Sequence, residues 1–362
     1  MKNIDTIDLL DGNVFQVTWD LGRRCNYDCS YCPVHRHDNV SRHATLDELK
    51  NSVDFMFEYV NAYIEHRTFK SVSISFTGGE PTVNPNFIEF VKYLKSEYQT
   101  KYSNLFQCNF SLTSNGAFSK KIADEIIQHL DYITISYHTE ADDRLKAQVL
   151  DRIRQFHGVG KPMNINVMFH AGYFEECVDL CNTLDSEGIK YVPRVIGEEP
   201  DSKPTFAHKY NEHQIQWMAD YWKVKKKEES GLGLNLGRPC CGSRTMCLSS
   251  CGEERTSKFV DFREFQGWSC SVNWFFLHIE QQTDTVYHHQ TCQARFDQTR
   301  GPIGKLSEGK LIIESLKNNL ENGTLPTIIC SKKICGCGIC APKSSDPAKY
   351  QQIMIKHITS NK

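Results

Sequence analysis

Long apolar runs are missing from this chain. None of its 362 residues sits in an uninterrupted apolar stretch of the ~18 residues that a membrane span requires. Met1 to Asp11 holds no signal-peptide core. These absences give the expectation of a cytoplasmic protein with no membrane partner. An excess of charge of one sign is also missing. Lys and Arg number 42 against 44 Asp and Glu, a net charge of −2, so no nucleic-acid partner is expected. The basic run Lys225–Lys227 is followed at once by Glu228 and Glu229 and reads as a solvated helix end. No repeat of solenoid period is present. About a dozen residues precede the first strand-like run, so no N-terminal peptide-recognition domain is expected.

What the chain has in quantity is cysteine, 16 residues in all. In a reducing compartment, clustered cysteines point to metal ligands rather than disulfides. Cys25, Cys29 and Cys32 lie near the start; Cys240, Cys241, Cys247 and Cys251 form a middle group. Cys270 and Cys292 are spaced singly, and Cys330, Cys335, Cys337 and Cys340 close the chain. Cys108, Cys177 and Cys181 fall inside strand or helix patterns and read as small core residues.

Residues 14 to 195 alternate between two periods. Runs rich in β-branched and aromatic residues occur at Val14–Trp19, Ser71–Phe76, Cys108–Leu112, Tyr132–Ile135, Asn164–Phe169 and Tyr191–Val195. Helical patterns separate them. In the first, Thr45 and Glu48 have capping-box spacing, and Leu46, Leu49, Val53, Met56, Phe57 and Val60 follow at helical intervals. Six such units predict an α/β fold, a parallel sheet wrapped by helices, in the form of a partial (β/α)6 barrel. The barrel is expected over residues 1–198, a linker and helix over 199–235, and a small cysteine-rich domain stapled by metal over 236–362.

The chemistry concentrates after the first strand, in Arg24-Cys25-Asn-Tyr-Asp-Cys29-Ser-Tyr31-Cys32. Three thiolates on one loop can hold three irons of a four-iron cluster and leave the fourth open. A structural zinc would want a fourth ligand, which His35, His37 or His43 would have to supply. After the second strand come Gly78, Gly79, Glu80 and Pro81. The glycines let the backbone approach a ligand closely, and the carboxylate can pair with an ammonium; the bland reading is a tight turn. Ser114 and Asn115 follow the third strand, and Ser136 with His138 ends the fourth. These are hydroxyl-binding candidates or plain helix caps. Each segment falls at the C-terminal end of its own strand, the rim where barrel sites form.

The cysteine spacing, with aromatic Tyr31 before the third Cys, resembles the signature of the radical S-adenosylmethionine superfamily. The resemblance implies that the open iron binds the amino and carboxylate groups of S-adenosylmethionine. An electron from a reductant such as flavodoxin or ferredoxin then breaks an S–C bond, and the resulting 5′-deoxyadenosyl radical takes a hydrogen atom from the substrate. It further implies that the Gly78–Pro81 loop binds the methionine amino group and that Ser114, Asn115, Ser136 and His138 lie at the ribose. Arg194 is left open between the methionine carboxylate and a pair with Glu198.

A second layout, Cys270 and Cys292 flanking a hairpin (Asn273–Ile279, then Thr285–Tyr287) before the Cys330–Cys340 group, resembles the SPASM/twitch extension of the same superfamily. It implies one or two auxiliary four-iron clusters, and the imperfect match gives the expectation of one, drawn from Cys270, Cys292, Cys330, Cys335, Cys337 and Cys340. The family's hairpin glycine is absent, with Thr283 and Asp284 serving as the turn. A zinc ribbon from the last four cysteines is the alternative. Cys240, Cys241, Cys247 and Cys251 stay open between a further metal, hydrogen donation and structure. The expected substrate is a small molecule such as a sugar, or a peptide, and the oxidoreductase, epimerase or peptide-modifying type is not distinguished. An electron-transfer or sensor protein is the rival reading, but it has no need of the Gly78–Pro81 loop.

Overall fold

The computed structural model describes residues 6–7, 14–32, 37–64, 66, 69, 71–196, 210–231, 265–289, 301–331 and 341–359. After a short β1 (Thr6–Ile7), the chain alternates strictly. β2 (Val14–Asp20) leads to α1 (Leu46–Ile64), β3 (Ser71–Thr77) to α2 (Phe87–Glu97), and β4 (Gln107–Ser114) to α3 (Lys120–His129). Then β5 (Tyr132–His138) leads to α4 (Asp143–Gly158), β6 (Met163–Phe169) to α5 (Phe174–Ser186), and β7 (Tyr191–Val195) to α6 (Glu212–Gly231). β2 to β7 pair in chain order and all in parallel, the expected six-unit partial barrel.

The local causes are visible. Thr45 N–H donates to Glu48 Oε2 at 2.8 Å and Glu48 N–H donates to Thr45 Oγ1 at 3.2 Å, a closed capping box that starts α1. Its buried stripe carries Leu49, Val53, Met56, Phe57, Val60 and Tyr63. Each large apolar side chain removed from water there contributes about 1.5–3 kcal/mol before entropy is counted. Beneath the helices, β2 buries Phe15, Val17 and Trp19 and β3 buries Val72, Ile74 and Phe76. Trp19 meets Phe90 of α2 edge-on at 5.1 Å.

The expected boundary at 236 lies outside the described residues. β8 (Ser269–Cys270) is followed by one helical turn, α7 (Val272–Phe275), where the sequence pattern suggests strand. β9 (Phe276–Glu280) and β10 (Thr285–Tyr287) form the hairpin, with Asp284 in its turn at φ +53°. β9 pairs in parallel with β2, and β10 pairs with β11 (Gly304–Lys305), so the barrel sheet grows to nine strands. Pairing on both sides leaves neither edge of β9 open, and Phe276 to Ile279 are all buried. The next helix, α8 (Gly309–Glu321), packs Ile312, Ile313, Leu316 and Leu320 into the barrel's core. A second, four-stranded sheet remains, in the order β1, β13 (Lys343–Ser344), β8, β12 (Ile328–Ile329), with α9 (Pro347–Thr359) beside it.

Candidate active site

The loop that carries the three thiols is held by backbone from the neighbouring loop. Leu21 N–H continues the β2–β3 ladder by donating to Thr77 O at 2.9 Å. Gly79 N–H then donates to Gly22 O at 2.7 Å and Glu80 N–H to Arg24 O at 2.9 Å. Gly22 and Gly78 adopt φ of +145° and +139°, a region that L side chains avoid. A Cβ on Gly79 would stand 2.2 Å from Arg23 O, and one on Gly78 2.4 Å from Gly22 O. The glycines therefore permit a close approach, and in this structure what they approach is the cysteine loop.

Glu80 is buried, and four donors converge on its carboxylate. Oε1 accepts from Thr82 N–H at 3.0 Å, Thr82 Oγ1 at 2.5 Å and Ser114 Oγ at 2.9 Å, and Oε2 accepts from Asn115 N–H at 2.7 Å. Burial pushes its pKa up, and these hydrogen bonds pull it back. A carboxylate offers about four lone-pair directions. Where the sequence suggests an ammonium partner, the structure makes Glu80 a bolt between the loops after β3 and β4. Pro81 opens the short helical turn that follows it.

The thiols lie within this frame, Cys29 buried and Cys25 and Cys32 half-buried. Cys25 Sγ accepts from Tyr27 N–H at 3.4 Å and faces Asn115 Nδ2 at 3.9 Å. Asn115 Nδ2 also donates to Asn26 Oδ1 at 2.7 Å, and Asn26 Nδ2 to Ala117 O at 3.1 Å. Ser30 donates through N–H and Oγ to the two carboxylate oxygens of Glu140, at 3.0 and 2.6 Å. His138 Nδ1 faces Cys29 Sγ at 3.4 Å and hydrogen-bonds the Tyr31 hydroxyl. Burial lowers His138 to about 4, so it is neutral at pH 7. Burial likewise pushes the Cys25 thiol up to about 11 and the Cys29 thiol to about 12.

This donor set suits an iron–sulfur cluster. N–H groups directed at sulfur favour the thiolate that iron needs, and a cluster takes its thiolates one per iron. Among the described residues no three His, Cys, Asp or Glu side chains converge as a single ion would require. His37 Nε2 is engaged with Asp28 Oδ1 at 3.1 Å. An open cavity of about 420 Å³ is lined by residues that include Cys25, Asn26, Tyr27, His37 and Asp38.

The other site candidates sort by strand. Ser136, opposite Asn166, and Arg194, opposite Met168, which itself pairs with His138, lie on the concave face of the sheet. Arg194 is buried and donates through Nε to Asn166 Oδ1 at 2.9 Å; Glu198 lies outside the described residues. That concave face was not singled out in the sequence, although its period-two pattern is there to read. Thr18 lies opposite both Ser75 and His278, Ser75 opposite Ser111, and Thr134 opposite both Thr113 and Asn164. The hydroxyls of Thr18, Ser73, Ser75, Thr113, Thr134 and Ser136 are half-buried and form no hydrogen bond with another described residue.

Of the C-terminal thiols, Cys270 is buried on β8 and Cys330 follows β12. Cys270 pairs with Ile328, and Cys330 N–H donates to Trp268 O at 2.9 Å, so the two cysteines share a face two positions apart in register. Cys240, Cys241, Cys247, Cys251, Cys292, Cys335, Cys337 and Cys340 lie outside the described residues.

Comparison with known proteins bears on the whole arrangement. The sequence model described as Radical SAM superfamily matches residues 19–201. A probable GTP 3′,8-cyclase of Saccharolobus solfataricus is 25% identical over 265 residues, covering 65% of this chain and 80% of that protein. An S-adenosylmethionine-dependent nucleotide dehydratase of Pseudoalteromonas ulvae is 31% identical over 145 residues, 38% of this chain and 44% of that protein. Among solved structures, native anSMEcpe with bound AdoMet and Kp18Cys peptide superposes with a TM-score of 0.56 at 12% identity, covering 95% of this chain and 96% of that one. That likeness is one of fold.

Proposed function

The chain belongs to the radical SAM superfamily of enzymes, and on that premise we propose that it acts on a small hydroxyl-rich substrate of nucleotide type, bound on the concave face of the partial barrel. Cys25, Cys29 and Cys32 would hold a four-iron cluster whose open iron takes S-adenosylmethionine. When bound, that pair supplies a 5′-deoxyadenosyl radical able to take hydrogen from an unactivated C–H bond. The protein's part is to orient one hydrogen and keep water and competing donors away.

The observation that carries the substrate class is the lining of the concave face. Barrel interiors are ordinarily filled with Val, Ile and Leu. Here Thr18, Ser73, Ser75, Thr113, Thr134 and Ser136 line it with hydroxyls. Hydroxyls with no hydrogen-bond partner among the described residues suit a ligand that donates and accepts hydrogen bonds and suit an aliphatic peptide side chain poorly. Arg194 adds a cation on the same face. The names of the two relatives, a GTP cyclase and a nucleotide dehydratase, support the same class. Reduction would come from flavodoxin or ferredoxin. Cys270, Cys292, Cys330, Cys335, Cys337 and Cys340 would hold one auxiliary four-iron cluster of SPASM/twitch type.

The test is a substrate panel. Reconstituted, reduced protein is given S-adenosylmethionine with ATP, GTP, CTP or UTP, or with a set of short peptides, and 5′-deoxyadenosine is quantified. One ribonucleotide is expected to raise its formation several-fold, and Thr18→Val with Ser75→Val to remove the increase. Stimulation by peptides alone contradicts the reading.

A further inference from the structure

The cysteine loop has one anchor that comes from the far end of the chain. Gly22 N–H is met by Asp20 Oδ1 at 3.1 Å, and Cys25 N–H by Asp38 O at 2.8 Å. Arg23 N–H instead donates to Oε1 of Gln282, at 2.7 Å and 259 residues away. That same Oε1 lies 3.5 Å from the position a Cβ on Gly22 would take, so the carboxamide rests directly on the loop's first turn.

Gln282 is itself held in place. Its neighbour Gln281 donates N–H to Asp20 O at 2.9 Å, continuing the β2–β9 ladder, and accepts at Oε1 from Nε1 of the buried Trp19 at 3.2 Å. On the other side of the turn, Asp284 accepts from Ser307 N–H at 2.8 Å and Ser307 Oγ at 2.5 Å. The turn is therefore fixed to the barrel and to the segment before α8, and Gln282 projects from a rigid base.

We propose that Gln282 is a positioning residue for the Cys25–Cys32 loop, so that the C-terminal hairpin is a working part of the site at which S-adenosylmethionine binds. This rests on the reading of Cys25, Cys29 and Cys32 as cluster ligands. Loss of the Gln282 acceptor leaves a loop N–H without its partner and frees the first turn to move. A loop that moves releases iron more readily and presents the open iron less well. Gln282 is half-exposed, so its substitution leaves the core untouched.

The experiment uses the full chain, reconstituted anaerobically, in parent, Gln282→Leu and Gln282→Glu forms. Leucine keeps the size and removes the acceptor; glutamate keeps an acceptor oxygen. Two readouts are followed: iron release to a ferrous chelator, with the rate of a Cys25/Cys29/Cys32→Ala variant subtracted, and the change in the reduced cluster's EPR spectrum on adding S-adenosylmethionine. Gln282→Leu is expected to release iron about three- to tenfold faster and to need several-fold more S-adenosylmethionine for the spectral change. Gln282→Glu is expected to stay within about twofold of parent, within the scatter of such pair energies. Should Gln282→Leu misfold, as judged by circular dichroism, Gln282→Asn withdraws the acceptor by one methylene and takes its place. Parent-like release and spectra in the acceptor-free variant overturn the proposal. A parent protein that loads no iron on these three thiols refutes the ligand reading instead, and the two failures are distinguishable.

Discussion

The half-barrel and the C-terminal sheet are built to different standards of self-sufficiency. From Val14 to Val195, strands of five to eight residues stand beneath helices of ten to nineteen, over a core that includes Trp19, Phe76, Phe90 and Phe169. The small sheet has strands of two residues, and among the described residues its own core cluster comprises Cys270, Val272, Phe275, Phe276, Ile328 and Ala341. Two-residue strands over so little apolar surface do not stand alone. The C-terminal part solves this by lending β9, β10 and α8 to the barrel and, on the present reading, by binding metal. The loan runs both ways, because the lent hairpin steadies the thiol loop.

The largest effect that sharpens this contrast comes from comparing two glycines. In the barrel, Gly79→Ala forces a methyl group into the backbone of Arg23 and Arg24. Iron bound by the first three cysteines is expected to fall to a small fraction of parent, measured as iron per chain. In the C-terminal part, a Cβ on Gly301 meets nothing within 4 Å, and Gly301→Ala should leave iron content unchanged. Equal losses would show that the interlocked loops do not set the site.

Next in size is metal dependence. With one auxiliary cluster, parent should carry about eight irons per chain and the Cys25/Cys29/Cys32→Ala variant about four. Removing Cys335 and Cys337 should then expose the C-terminal part to protease, since metal binding and folding are coupled there, while the barrel resists. A zinc ribbon predicts about four irons, then none, with one zinc in both proteins. The smallest effect belongs to the barrel alone. Thr45→Ala opens one side of the capping box and should cost about 1 kcal/mol, read by urea denaturation. A loss much above that would mean α1 depends on its cap more than on its buried stripe.

The same contrast governs what was legible beforehand. Tyr191–Val195 is found as expected, and the other barrel strands differ by a few residues at their ends, because period-two burial bounded by turns is a local signal. The loops after β2 to β5 converge as their positions at strand ends imply. The insertion of β9 beside β2 was not legible, since parallel pairing between distant segments leaves no local pattern. Nor were the partners that shape the site. Glu140 reaches Ser30 across 110 residues and Gln282 reaches Arg23 across 259, and neither sits in a recognisable motif. Glu80 shows the other limit: its position was readable, but the four donors that occupy it come from the folded loops.

The most direct test of the central claim is 5′-deoxyadenosine formation by the three thiols' own variant. Anaerobically reconstituted protein, reduced with dithionite and given S-adenosylmethionine, should produce 5′-deoxyadenosine and methionine. The variant with Cys25, Cys29 and Cys32 replaced by Ala should produce none while keeping the parent's helical circular dichroism. Full turnover in that variant would contradict the account.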